Sequence, residues 1–268
     1  MRPNALKRLW ASGGAAVNGW LSIPSSFAAE TMAHQGWDSL TVDLQHGVLD
    51  YGTAVPLLQA VSTTPVTPLA RVPWLEEGIV MKMLDAGCYG IICPMIESAG
   101  DADRLVRACR YPPRGRRSFG PIRATLYGGA DYFQKANEEI VIFAMIETRA
   151  GIDNLEEILA VPGLDAVYIG PADLAIALGA MPQFDHEKGV AREAIEFVLR
   201  KTRERGLVAG IHNGTARYAL SMIELGFQFV TIASDARHLA AKAGEVVAEM
   251  RQGLKRDQAP AGPAKATY

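Results

Sequence analysis

Glu147 and Asp173 each stand just beyond an apolar run, VIFAMI before the first and AVYIGPA before the second. Two carboxylates so placed suit a hard divalent cation bound through oxygen. Mg²⁺ takes one or two protein carboxylates, keeps several waters and leaves places for substrate oxygens, and Mn²⁺ or Co²⁺ can replace it. Each acid also has a plainer reading, as the cap of a following helix or the partner of a surface cation. His46 can act as a general base, because an unperturbed imidazole titrates near ~6.5; it can equally be a histidine satisfied by backbone. Arg71 closes the apolar run TPLAR. A guanidinium there is costly unless it meets an anion, and both a substrate anion and Asp43 would serve. Trp20, His212 and Asn213 end further runs of the same kind, as do Ser234 and Asp235.

Other chemistries lack their residues. Schiff-base catalysis needs a lysine in the site, yet Lys7, Lys82, Lys135, Lys188, Lys201, Lys242, Lys255 and Lys265 all fall away from the predicted strand ends. A carbonyl substrate would therefore be activated by metal. Neither GxxxxGK[ST] nor GxGxxG occurs, so nothing announces a phosphate loop or a dinucleotide site. Cys88, Cys93 and Cys109 have no metal-ligand spacing; they read as space-filling residues of a reducing, cytoplasmic compartment. A net charge of −2 argues against a nucleic-acid partner. The uncharged windows 9–29 and 51–70 are broken by glycine, proline and serine, unlike the ~20-residue apolar run of a membrane-spanning helix. No apolar stretch follows Arg2, Lys7 and Arg8 to make a signal peptide.

These residues need a scaffold that brings many strand ends together, and the chain predicts one. Strand-like runs at 15–23, 39–45, 67–72, 90–96, 140–148, 165–170, 207–212 and 227–233 alternate with helical stretches. The helices are expected at 25–34, 53–61, 76–85, 101–110, 152–159, 172–178 with 188–205, 216–225 and 237–252. The strands are continuous apolar runs, as in parallel sheets buried on both faces. Eight strand–helix units in about 250 residues match a closed (β/α)8 TIM barrel, an α/β fold, ahead of an open doubly wound sheet. Residues 1–252 then form one domain and 253–268 a flexible tail. The connection 111–139 is long, which marks a functional or mobile segment. It holds Arg114, Arg116, Arg117 and Arg123, just after Arg110; such a cluster is a solvated face, a subunit contact, or a guide for an anionic substrate toward the barrel mouth.

Several segments together resemble the HpcH/HpaI family of metal-dependent pyruvate aldolases: VDLQHG at 42–47, LARV at 69–72, LDAGCYGIICPMIES at 84–98, RGRRSFGP at 114–121, MIET at 145–148 and YIGPADLAIALG at 168–179. They occur in family order over about 20–235. The resemblance implies a barrel whose last helix is exchanged between subunits of a hexamer, a trimer of dimers. It implies Glu147 and Asp173 as metal ligands, Arg71 on the 2-oxo acid and its enolate, and His46 with Asp85 as an acid–base dyad acting through water. Trp20, Met145, Gly170, Pro171, Ala172 and His212 would line the substrate site, and the backbone amides around Ala172 and Asp173 would meet the substrate carboxylate. Asp85 stands near a helix C-terminus, where a carboxylate opposes the dipole. Two positions depart from the common pattern: Met145, where many members have glutamine, and Gln45, where many have glutamate. A thioether donates no hydrogen bond, so Met145 and the polar His212 imply a different acceptor. The implied reaction is reversible cleavage of a 4-hydroxy-2-oxo acid to pyruvate, or a similar 2-oxo acid such as hydroxypyruvate, and an aldehyde. A CoA-ester lyase or 2-oxo acid decarboxylase on the same scaffold, and a catalytically silent 2-oxo acid-binding protein, are the other readings.

Overall fold

Each apolar run predicted as a strand is one. In the computed structural model, which describes residues 1–254, they are β1 (Ala16–Leu21), β2 (Ser39–Asp43), β3 (Thr67–Arg71), β4 (Gly90–Cys93), β5 (Val141–Ile146), β6 (Ala166–Ile169), β7 (Val208–Asn213) and β8 (Phe229–Ile232). Every strand pairs parallel with the next in chain order, and β8 closes on β1. The fold is the expected (β/α)8 barrel. Before β1 lies α1 (Ala5–Ala11), and the return segments are α2 (Ser26–Ala33), α3 (Tyr51–Val61), α4 (Glu77–Asp85) and α5 (Ala99–Cys109). The long 111–139 connection contains α6 (Ile122–Gly128) and α7 (Tyr132–Glu139). Then come α8 (Arg149–Asp153), α9 (Leu155–Leu159), α10 (Pro171–Ala177), α11 (Val190–Glu204), α12 (Ala216–Leu225) and α13 (Asp235–Gly253). The expected tail at 253–268 lies outside the described residues apart from its first two positions.

Helices begin where their sequences can cap them. Ser25, Asp50, Ser98, Thr148, Thr215 and Ser234 each accept a hydrogen bond from a backbone amide in the first turn that follows. Such caps contribute about 1 kcal/mol each, and all six sit just past the end of a strand. At the other end of α12, Gly226 takes φ of +118°, a left-handed cap that a side chain would strain.

Strand side chains alternate, so every second residue faces the barrel axis. At the N-terminal end, Trp10 and Leu6 of α1 plug the interior against Phe143 and Phe229. The middle is polar. Asn18 donates to Thr231 Oγ1 at 2.9 Å and accepts from Ser39 and Thr41; Tyr168 donates to Thr231 at 2.8 Å. Around this interior, the outward strand residues and the helices form a continuous apolar layer.

Three helices were not legible in the sequence. Seven-residue α1 is short, and its apolar Leu6 and Trp10 acquire a partner only when the barrel closes beneath them. Helices α6 and α7 are short, and tertiary contacts hold them: Arg117 donates to Tyr132 Oη, and Arg2 N donates to the Gly128 carbonyl at 2.6 Å. No described helix is long and apolar enough to cross a membrane. Replacing Trp10 with alanine is expected to cost about 3 kcal/mol through the void left under the barrel. The check is a lower denaturation midpoint at an unchanged m-value.

Candidate active site

Arg71 and Asp43 meet at the mouth because β2 and β3 place them side by side, Asp43 opposite Arg71 in the ladder. Arg71 donates from Nε to Oδ1 at 2.8 Å and from Nη2 to Oδ2 at 2.7 Å, a bidentate pair. Burial alone would raise the Asp43 carboxyl, but the guanidinium outweighs it and holds the group below its ordinary value. Burial would likewise lower Arg71, and Asp43 raises it instead. Asp43 Oδ1 also accepts from the amides of Gln45 and His46 at 3.1 and 3.3 Å. The pair therefore shapes the turn that carries His46 to the rim. Arg71 keeps Nη1 without a protein partner among the described residues.

Glu147 extends beyond β5 and is almost wholly buried, 2% exposed. Its Oε1 accepts from the Met95 amide at 3.0 Å, and Met95 holds a left-handed φ of 55° to present that amide. Oε2 is buried without a hydrogen-bond partner. Burial first, and the neighbouring Asp173 carboxylate second, push Glu147 up to about 7. Asp173 is the third residue of α10; the N-cap is Gly170, so Asp173 does not cap the helix. A Cβ at Gly170 would meet Glu147 Oε2 and the Met145 methyl, so a side chain there would push both aside. An orphaned carboxylate oxygen repelled by a second carboxylate is what a hard cation would relieve. Among the described residues no group of three or more potential ligands forms a closed metal cage. A cation here would thus keep open positions for other oxygens.

A cavity of about 620 Å³ opens over these groups. It gathers most of the predicted residues: Trp20, His46, Arg71, Met145, Gly170, Pro171, Ala172, Asp173 and His212 all line it. Glu147 lies directly beneath Gly170. His212 Nδ1 is 3.1 Å from Tyr168 Oη, which is also hydrogen-bonded to Thr231 Oγ1. Burial, then the charge of Arg71, push His212 down to about 3, so the ring is neutral.

Some expectations change. Asp85 ends α4 and pairs with Arg117 at 2.6 Å; within one chain it does not line the cavity beside His46. Asn213 points away from the cavity and donates to the carbonyls of Ile211 and Thr231. Within the chain the arginine cluster is paired: Arg110 with Asp165, Arg114 with Glu138, Arg116 with Glu77 and Arg117 with Asp85, while Arg123 donates to Ala86 O and Ser62. The Arg110 and Arg117 guanidinium groups are buried, and the Arg114 and Arg116 pairs lie at the surface. Sequence reasoning missed Phe184 and Arg237, which also line the cavity. Phe184 lies in an irregular segment after α10, with no strand end to flag it. Arg237 is two residues past Asp235, within the first turn of a helix that the spacing began only at 237.

A closed parallel barrel with two carboxylates, a paired guanidinium and a histidine at the C-terminal ends of its strands defines an enzyme of the (β/α)8-barrel class. The chain belongs to the HpcH/HpaI aldolase/citrate lyase family, whose model matches residues 19–241. It is 40% identical over 248 residues to a hydroxypyruvate/pyruvate aldolase of Rhizorhabdus wittichii, covering 92% of this chain and 99% of the relative. It is 36% identical to a 4-hydroxy-2-oxo-heptane-1,7-dioate aldolase of Shigella flexneri, covering 91% and 92%. The solved structure of an HpcH/HpaI aldolase/citrate lyase family protein from Burkholderia cenocepacia superposes with a TM-score of 0.86 at 33% identity, covering 92% and 99%.

Two outcomes are expected of the site's electrostatics. Asp43→Ala leaves the Arg71 charge buried and unpaired, at a cost of about 3–5 kcal/mol, measurable by chemical denaturation. His212 has a folded pKa below its unfolded value of 6.5. Its contribution to stability is therefore full above 6.5 and is lost as pH falls toward 3, at no more than about 1.4 kcal/mol per pH unit. His212→Gln should remove that part of the acid-side slope of stability against pH.

Proposed function

We propose that the protein is a divalent-metal-dependent aldolase that reversibly cleaves a 4-hydroxy-2-oxo acid to pyruvate, or a similar 2-oxo acid such as hydroxypyruvate, and an aldehyde. The observation that carries the reading is the unpartnered Glu147 Oε2 beside Asp173, on the same rim as Arg71 and His46. Glu147 and Asp173 would hold the cation, Mg²⁺ in the first instance, with Mn²⁺ or Co²⁺ as replacements. When bound, such a cation polarises a ketone and offsets negative charge on its oxygen.

The chain's own groups supply the rest. Arg71 is fixed in place by Asp43, and its free Nη1 donates to the 2-oxo acid and to the enolate oxygen as charge develops there. A donor held rigid in advance stabilises that charge without reorganising. His46, at the exposed rim, relays a proton between C3 of the donor and a water. In the cleavage direction the same path protonates the enolate. Trp20 and Met145 give the donor an apolar wall, and Gly170, Pro171 and Ala172 leave space for its carboxylate. Asp85 acts at a distance, by holding Arg117 and the connection after α5.

The partners are then small molecules, and we infer that a second copy of the chain is another. Helix α13 buries only Asp235, while Leu239, Val246, Val247 and Met250 along it are exposed. An apolar row of this kind fits exchange of the last helix between subunits of a hexamer.

Alanine at Glu147 or Asp173 is expected to lower deuterium exchange into the pyruvate methyl by about 10²-fold or more, several kcal/mol of charge stabilisation. A chelator should do the same to the unaltered protein, reversibly. Undiminished exchange in both variants would sink the reading.

A further inference from the structure

The face opposite the mouth carries a second cavity, of about 460 Å³. Four parts of the chain meet there: the N-terminal segment with Arg2 and Arg8, the turn from α3 to β3 at Ser62, Tyr89 just before β4, and Tyr127 of α6. Arg2 lies over the Tyr127 ring, 4.5 Å from its centroid, and Tyr89 meets Tyr127 edge-on at 5.4 Å. A third guanidinium stands behind the wall, where Arg123 donates to Ser62 Oγ at 3.1 Å. The charges of Arg2 and Arg123 both act on the Tyr127 phenol. Among the described residues no aspartate or glutamate lines this cavity. Nor does Arg2, Arg8 or Arg123 make an ion pair among them.

Acids do lie near the N-terminal segment, but they are engaged elsewhere. Glu139 Oε2 accepts from the Asn4 amide at 2.6 Å, Asp131 pairs with the Met1 amino group and with Lys135, and Asp165 takes Lys7 at 3.0 Å. The Arg2 amide donates to Gly128 O at 2.6 Å, and Asn4 Nδ2 donates to the carbonyls of Tyr89 and Glu139 at 3.1 and 2.7 Å. Arg2 is thus fixed at its root while its charge is left without a counter-charge. Packing does not demand either arginine, since Arg2 and Arg8 are both exposed, and like charges gathered without an anion repel. One more donor is unmet. Tyr89 is 2% exposed and its hydroxyl has no hydrogen-bond partner. That hydroxyl lies beside Gly128, where a Cβ would come within 3.2 Å of it. Burial raises the phenol above its ordinary value, so it keeps its proton. The hydroxyls of Ser62, Thr63 and Thr64 are already given to backbone carbonyls at 2.7, 2.8 and 2.9 Å. Recognition of a ligand therefore falls to the guanidinium groups.

We infer that this cavity is a binding site for a phosphate dianion, free or as the monoester of a small organic molecule. Two guanidinium groups match its two negative charges, and a phosphoryl group offers three oxygens to their planar forks where a carboxylate offers two. Arg2, stacked on Tyr127, keeps its in-plane donors directed outward from the ring. The rings of Tyr89 and Tyr127, with Pro3 and Pro65, give the organic part of an ester an apolar wall. The volume is that of an ordinary small-ligand site, ~300–1,000 Å³. The cavity lies at the other end of the barrel from Arg71 and Asp173, so its ligand is not the substrate held there. Such a ligand joins α1, whose Leu6 and Trp10 plug the barrel, to the ends of α3 and α6. These parts meet only in the folded chain, so binding stabilises the fold.

Calorimetric titration of the whole chain with phenyl phosphate and with inorganic phosphate tests the assignment. A chelator is present so that no metal at the mouth recruits the anion. Saturable binding with a Kd below about 1 mM is expected, with a Tm that rises as ligand is added. Arg2→Gln and Arg8→Gln should each weaken binding about 10-fold or more, as for loss of a charge-assisted hydrogen bond. Both side chains are exposed, so the denaturation midpoint of each variant without ligand should stay close to that of the unaltered protein. Tighter binding of phenyl phosphate assigns the site to an ester, and equal affinity for the two ligands assigns it to free phosphate. Absence of saturable binding, or binding that survives when both arginines are replaced, overturns the assignment.

Discussion

Arg71 carries its charge at the inner rim of the barrel, and Asp43 is what lets it stay there. Neither group would be tolerated alone in so dry a position, because desolvation opposes both charges. Adjacent parallel strands put them in register, and the bidentate contact turns two costly charges into one stiff unit. Much of the mouth is organised around that unit. Asp43 collects the amides of Gln45 and His46 and so shapes the turn that holds the histidine. Arg71 lies over the Trp20 ring, and its charge helps keep His212 neutral.

Below this pair, the barrel interior is divided by polarity along its axis. The apolar plug of Trp10, Leu6, Phe143 and Phe229 closes the N-terminal end, and a hydrogen-bonded belt from Ser39 through Asn18 and Thr231 to Tyr168 fills the middle. Buried polar groups rigidify a core only when they are satisfied. Each member of the belt finds a partner, and its last link, Tyr168, reaches His212 Nδ1 at 3.1 Å. Above it, at the mouth, Glu147 Oε2 and Arg237 Nη2 are among the buried polar atoms left without a partner.

Legibility in the sequence followed the strength of the local signal. Eight apolar runs with capped helices between them read clearly as strand–helix units, and residues just past those runs read clearly as rim residues. Glu147, Asp173, His46, Arg71, Trp20 and His212 were all found that way. Asp85 was reached only through family resemblance, and its neighbour within the chain is Arg117. The arginines of 110–123 looked like a free positive patch because their acidic partners are remote in sequence: Glu77, Asp85, Glu138 and Asp165. Helices α6 and α7 were invisible for a similar reason, since short helices borrow their stability from contacts that no local window contains.

The order of elements, the closed barrel and the identity of most rim residues are written in the chain, because hydrophobic periodicity and strand-end position are properties of neighbouring residues. Which charges are spent and which remain available is a property of distance in space. Arg71 and Arg237 look alike as letters; one is neutralised by a carboxylate on the adjoining strand, and the other stands over Phe184 with a donor unmet. That difference arises only when strands far apart in the chain are brought side by side. The same closure turns a list of polar strand ends into one cavity.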